Sequence, residues 1–168
     1  MNIQLNVKPF QETLNAGMCG PASLKIVLDY YEVCKTEAEL AVLTKTDEDL
    51  GTSDEQIKLV AENLGFKVEI KDHSDFSDIE KWIMQGVPVI VDWFTRSRDD
   101  YDETIASADG HYSVVTGLDD KYIYLQDPEI GKIRKMEKEV FKRVWFDFSG
   151  EYIAPDELII RQLIAIYR

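Results

Sequence analysis

Cys19 stands where the turn Asn15-Ala16-Gly17-Met18 gives way to a helix-forming run, in the segment Cys19-Gly20-Pro21-Ala22-Ser23. Gly17 and Gly20 leave the backbone uncrowded, and proline is tolerated in a first helical turn. Leu24, Val27, Leu28 and Tyr31 then recur at helical spacing. A thiol at a helix start faces unpaired backbone amides and the positive end of the helix dipole. Such surroundings favour the thiolate, which is the nucleophile. The same residue also reads as a small hydrophobe in an ordinary helix start. Two other residues could turn it to chemistry. His111, in Gly110-His111-Tyr112-Ser113-Val114-Val115, precedes a strand-like run and is a candidate general base. Asp127, held extended by Pro128, could fix the imidazole tautomer and stabilise the imidazolium. Taken singly, His111 reads as structural and Asp127-Pro128 as a turn. His73, in Lys71-Asp72-His73-Ser74-Asp75, reads as a solvated loop residue.

Those three side chains need a helix and a hairpin to bring them together. The pattern predicts a helix over 20–32. Thr36 and Glu39 form a capping box for a second helix, and Ser53 with Gln56 caps a third that stops at Gly65. A strand over 66–70 and a helix from Ser77 to Gly86 follow. The second half is strand-rich: Val87 to Phe94, Tyr112 to Leu118, Tyr122 to Gln126, Lys132 to Lys135 and a final strand over 157–167, with a short helix over 137–144. Ile3 to Val7 could add a short edge strand. Helices early and strands late make an α+β domain, expected as one unit over residues 1–168.

Hairpin parity decides whether His111 can reach Asp127. Paired strands share a face only where positions match across the register. A three-residue turn, Asp119-Asp120-Lys121, or a bulge sets Ser113 opposite Asp127 and His111 on the diagonal, about 7 to 8 Å away at the backbone. A two-residue turn with regular pairing puts them on opposite faces. The sequence therefore predicts a three-residue or bulged hairpin.

Composition narrows the classes. The 168 residues carry a formal net charge of -13, with 45% hydrophobic and 30% charged residues. A duplex or membrane-surface binder needs a basic footprint, so neither nucleic acid nor membrane is an expected partner. The acidity favours a basic peptide or protein partner, although it also serves solubility alone. No signal segment or long apolar run is visible, which points to a cytoplasmic location. The helix would hold Cys19 and Cys34 about 20 Å apart, beyond the about 7 Å that a disulfide spans, so both are expected as thiols. Cys19, Cys34, His73 and His111 lack zinc-type spacing. The acidic run Asp99-Asp100-Tyr101-Asp102-Glu103 lacks the alternation of a calcium loop, and no metal or other cofactor is expected. Trp93, Phe94, Tyr101 and Tyr112 could line a cleft, with core packing the plainer reading of Trp93 and Phe94.

Taken together and in order, Cys19-Gly20-Pro21-Ala22-Ser23, Gly110-His111-Tyr112-Ser113-Val114-Val115-Thr116-Gly117 and Asp127-Pro128-Glu129-Ile130-Gly131 resemble the papain-like cysteine peptidases of the bacteriocin-processing, double-glycine leader peptidase type. The resemblance spans roughly residues 9 to 135. It implies a papain-like fold, with the cysteine at the start of a central helix and the helical first half packed on an antiparallel sheet from the second half. It also implies Cys19 as nucleophile, His111 as base and Asp127 as the orienting group. A glutamine ahead of the cysteine would share an oxyanion hole with the cysteine N–H, and Gln11 takes that place. Gln11 lies eight positions before Cys19, where about six is usual, so Thr13 to Gly17 is expected to bulge. Gly17, Met18, Gly110 and Tyr112 flank the motifs and are candidate cleft residues. No Walker-type glycine loop occurs, so coupled export is not implied. The expected activity is a stand-alone cysteine hydrolase acting on an amide bond, with a peptide as the expected substrate. The alternatives are an idle peptide-binding module and an acyltransferase using the same residues.

Overall fold

A computed structural model describes residues 3–95, 109–149 and 154–168. Most of the acidic segment 95–109, and with it Tyr101, lies outside the described residues. The chain runs β1 (Ile3–Gln4), α1 (Cys19–Tyr30), α2 (Glu37–Leu43), α3 (Asp54–Asn63), β2 (Lys67–Lys71), α4 (Phe76–Met84), β3 (Val89–Thr95), β4 (Asp109–Leu118), β5 (Tyr122–Asp127), β6 (Lys132–Glu137), α5 (Lys138–Val144), β7 (Phe146–Phe148), β8 (Leu158–Ile160) and β9 (Leu163–Tyr167). The capping box at Thr36 and Glu39 is present, and Ser53 accepts from the Gln56 N–H. The fourth helix starts earlier than its pattern suggests. Asp75 caps it in a box with Asp78, because an aspartate two residues ahead of Ser77 supplies a stronger acceptor.

The larger sheet is antiparallel throughout, in the order β2-β9-β3-β4-β5-β6, with β1 paired to the far end of β4. It buries both faces. Leu24, Val27 and Leu28 of α1, Leu40 of α2 and Ile57 and Val60 of α3 pack with Ile90, Tyr112, Val114, Ile164 and Ile166. The alternate residues Val89, Val91, Trp93, Val115, Leu125, Leu163 and Ala165 pack with Ile79, Trp82 and Ile83 of α4, Phe141 and Val144 of α5, and Trp145 just after it. Strands apolar on both sides require cover on both. This refines the expected halves: β2 and α4 come from the helical half, α5 comes from the strand half, and α4 and α5 lie opposite α1.

The expected last strand is two. Arg161 adopts φ +48° between β8 and β9. That left-handed residue turns the chain, so β8 joins β7 in a separate ribbon while β9 enters the main sheet.

The β4–β5 hairpin carries the expected irregularity. Leu118 pairs with Ile123 and Gly117 with Tyr124, but Val115 pairs with Leu125 and Val114 with Gln126. The register shifts by one at Thr116. The turn is tight, closed by Asp119 N–H on the Tyr122 carbonyl, and Asp119 also accepts the Lys121 and Tyr122 N–H groups. The bulge, not the turn, supplies the odd residue. Extending the register by one step sets Ser113 beside Asp127 and puts His111 on the same face.

Candidate active site

Helix α1 begins at Cys19 itself, and no side chain caps it. Its first N–H groups are thus not taken by a capping side chain, as an anion site at a helix start requires. The approach to it is built by two left-handed residues, Asn15 (φ +59°) and Gly17 (φ +63°). At Gly17 a Cβ would lie 2.6 Å from the Asp47 carbonyl oxygen, so both space and φ call for glycine. The Thr13 N–H and hydroxyl bond the Glu37 carboxylate at 2.9 and 2.7 Å, tying the turn to α2.

His111 Nε2 meets Asp127 Oδ1 at 2.7 Å, with both side chains buried. The other carboxylate oxygen accepts from Arg134 Nε at 2.7 Å, and the Glu129 N–H adds a third bond at 3.0 Å. Burial pushes Asp127 up, but His111 and Arg134 outweigh it and hold the carboxyl below its usual range. Asp127 is therefore an anion, and Nε2 carries the imidazole proton. That leaves Nδ1 for the Cys19 thiol, which lies near enough to act on the imidazole. Burial pushes the imidazole down, yet Asp127 and Cys19 together raise it well above its ordinary value.

Arg134 has no local motif to advertise it. It lies across from Leu125 on β6, on the face that Asp127 shares, and its guanidinium centre sits 5.7 Å from the Trp93 ring. Trp93 meets the His111 ring edge-on at 5.8 Å and donates Nε1–H to the Ser113 hydroxyl at 3.0 Å. The imidazole is thus held by a carboxylate at one end and an indole at its flank. Phe94, on the opposite face, stacks on Phe146 at 5.3 Å.

The segment ahead of the cysteine is arranged differently from its pattern. Gln11 is exposed, and its Nε2 donates to the Glu129 carbonyl at 3.2 Å. The neighbouring Glu12 turns inward instead: its backbone N–H bonds the Pro128 carbonyl at 2.9 Å, and its Oε2 is buried with no partner. Burial raises its pKa to about 7; the His111 charge opposes the rise, while Glu129, Asp127 and Glu37 add to it. His111, Asp127 and Glu129 bring one donor atom each within 4.8 Å of one another, but the imidazole–carboxylate bond already engages two of the three. Cys34 is an exposed free thiol, remote in role from this cluster. Gly110 and Tyr112 share a cavity wall with Cys19. Met18 is the helix N-cap, and Gly17 packs on Asp47.

This arrangement can be set beside known proteins. Residues 4–153 match the Peptidase_C39 like family. The chain belongs to that family. An uncharacterized protein of Methanothermobacter thermautotrophicus is 31% identical over 139 residues, spanning 82% of this chain and 81% of that protein. The lactococcin-G-processing and transport ATP-binding protein of Lactococcus lactis is 32% identical over 127 residues, 76% of this chain but 16% of its own length. Among solved structures, the peptidase domain of Streptococcus ComA superposes with a TM-score of 0.69 at 23% identity, covering 96% of this chain and 98% of that one. A C39-like peptidase from Bacillus anthracis superposes at 0.68 with 18% identity, covering 100% and 98%. A double glycine motif protease bound to its leader peptide gives 0.66 at 20% identity, covering 99% and 98%. The fold is that of the papain-like C39 peptidase domains, and membership supports a function of cysteine-peptidase type. No helix among the described residues is long and apolar enough to cross a membrane.

Proposed function

We propose that the protein hydrolyses an amide bond in a peptide or protein, with Cys19 as nucleophile, His111 as general acid–base, Asp127 as its orienting anion and Gln11 in the oxyanion hole. The observation that carries the reading is the buried His111–Asp127 bond, braced by Arg134 and aimed at a thiol on a helix N-terminus. Cys19 Sγ attacks the carbonyl carbon, and the thiol proton passes to His111 Nδ1. His111 returns that proton to the departing amine as the tetrahedral intermediate collapses to an acyl-enzyme. Water then attacks the acyl group, gives its proton to His111, and the thiolate leaves. The developing oxyanion meets the Cys19 N–H and the Gln11 amide. The amide hydrogen not given to Glu129 is available for this. The relative bound to a leader peptide makes a peptide the first substrate class to try.

A thiol-directed electrophile tests the site against its internal control. Cys19 should label faster than Cys34, and His111→Ala should remove the difference. Equal labelling of the two thiols in the unaltered protein would overturn the assignment. One observation favours a second reading, binding without turnover: the Gln11 amide already serves the Glu129 carbonyl. Peptide binding with no acyl-enzyme in mass spectrometry would select it.

A further inference from the structure

Beside Cys19 opens a cavity of about 580 Å³ whose described lining carries seven carboxylates against one cation, Lys45. Four of the carboxylates, Asp54, Asp72, Asp92 and Asp147, are drawn from α3, the loop after β2, β3 and β7. Acidity alone would mean little at a surface, but three buried side-chain acceptors of the wall residues are unmet. Asp92 is 2% exposed, and its Oδ1 has no hydrogen-bond partner. Gln162 is 3% exposed; its Nε2 donates to Asp54 at 2.9 Å and Asp72 at 3.0 Å. Those two carboxylates fix the amide's orientation and leave its Oε1 buried and unbonded. Gln56 Oε1, also in the lining, is a third orphan acceptor. No buried side-chain donor of the lining lacks a partner among the described residues.

Buried acceptors left without donors are costly, and these three belong to residues of the wall beside Cys19. Asp147 adds to the demand. Its carboxylate neighbours that of Asp92 and lies so close to the Gly110 Cα that any side chain at 110 would displace it. Two carboxylates in contact and several others nearby form a site that a group rich in N–H and positive in charge would satisfy. Burial, the neighbouring Asp147 and the nearby Cys19 all push Asp92 well above its ordinary range, with His111 opposing.

We propose that this cavity is a specificity pocket for a lysine or arginine side chain next to the scissile bond, with the ammonium or guanidinium received by Asp92, Asp54 and Gln162 Oε1. The inference deepens the hydrolase reading and rests on it for the phrase "next to the scissile bond". The cavity reaches Cys19 itself, so the cation would enter within about one residue of the attacked carbonyl.

Binding to Cys19→Ala protein separates the pocket from the chemistry. The probes are fluorescein-labelled heptapeptides of glycine and alanine with one central arginine, lysine, citrulline or norleucine, followed by fluorescence anisotropy. Arginine should bind better than citrulline, and lysine better than norleucine, by about tenfold to a hundredfold, the worth of one charge-assisted hydrogen bond. Asp92→Asn should shrink that ratio at least fivefold. Asp54→Asn, on the outer wall, should shrink it as well and serves if the buried variant fails to fold. Equal binding of charged and neutral peptides overturns the proposal, as does a preference that neither variant changes. Cleavage of the same peptides by unaltered protein is scored separately. Cleavage without cation preference sinks the pocket and leaves the hydrolase, whereas cation-selective binding without cleavage does the reverse.

Discussion

Glu12 offers a measurement in which pH alone separates a buried acid from an exposed one. Its carboxyl is held to about 7 in the folded protein against an ordinary value of 4.5, burial being the main cause. The folded state thus grips the proton more tightly than the unfolded chain does. Ionising Glu12 costs the fold nothing well below pH 4.5, a growing amount between 4.5 and 7, and its full penalty above 7. At about 1.4 kcal/mol per unit, the difference of about 2.5 units sets the full penalty at about 3 kcal/mol. The same linkage gives about 1 kcal/mol at pH 5.5, so the penalty should grow by about 2 kcal/mol between pH 5.5 and 8.5. Glu12→Gln keeps the shape and removes the titration. Urea unfolding of both proteins at pH 5.5, 7 and 8.5 should show the variant gaining on the parent as pH rises. A stability difference that stays flat across that range would refute the buried placement of Glu12.

Three other outcomes follow from the same contacts. Arg134→Met strips the guanidinium from a fully buried carboxylate and should cost about 3 to 5 kcal/mol in chemical unfolding; a loss below 1 kcal/mol would mean that Asp127 finds another donor. Gly110→Ala should displace Asp147 and lower stability by about 1 to 3 kcal/mol, and thermal unfolding with no change would show that the close seat is not rigid. Gln11→Ala should lower peptide turnover by about 10²- to 10³-fold with folding intact, and a loss under tenfold would remove Gln11 from the oxyanion hole.

Much of the fold is legible in local sequence, because capping boxes and apolar spacing act within a few residues. Thr36 with Glu39 and Ser53 with Gln56 mark their helices correctly. Failures occur where no local residue type announces the event. Arg161 takes a left-handed turn without being glycine or asparagine, so one apparent strand is two. In the candidate site, the His111–Asp127 contact is legible through strand parity. Arg134 is not, since an arginine in an alternating strand looks solvent-facing until the face it shares with Asp127 is known. The Trp93 flank could have been drawn from the same parity, once β3 is set beside β4 with Trp93 opposite His111. Glu12 and Asp92 are the hardest. An acid is ordinarily exposed, and only three-dimensional packing reveals one that is buried. Ahead of Cys19, it is Glu12 and not Gln11 that is buried beside the His111–Asp127 pair, and no residue type marks which of the two turns inward.

The bulge at Thr116 makes the meeting of His111 and Asp127 a matter of arithmetic as much as of side-chain identity. Between the two residues the hairpin must contain one residue more than a regular ladder would hold. Substitutions there leave the count intact, and the turn at 119–122 could change its residues freely while the pair stays together. Loss of a single residue would rotate the start of β4 by half a repeat and send the imidazole to the other side of the sheet, with every functional residue still present. In related chains, length changes in this hairpin should therefore come in twos, or be matched by a compensating change at the bulge.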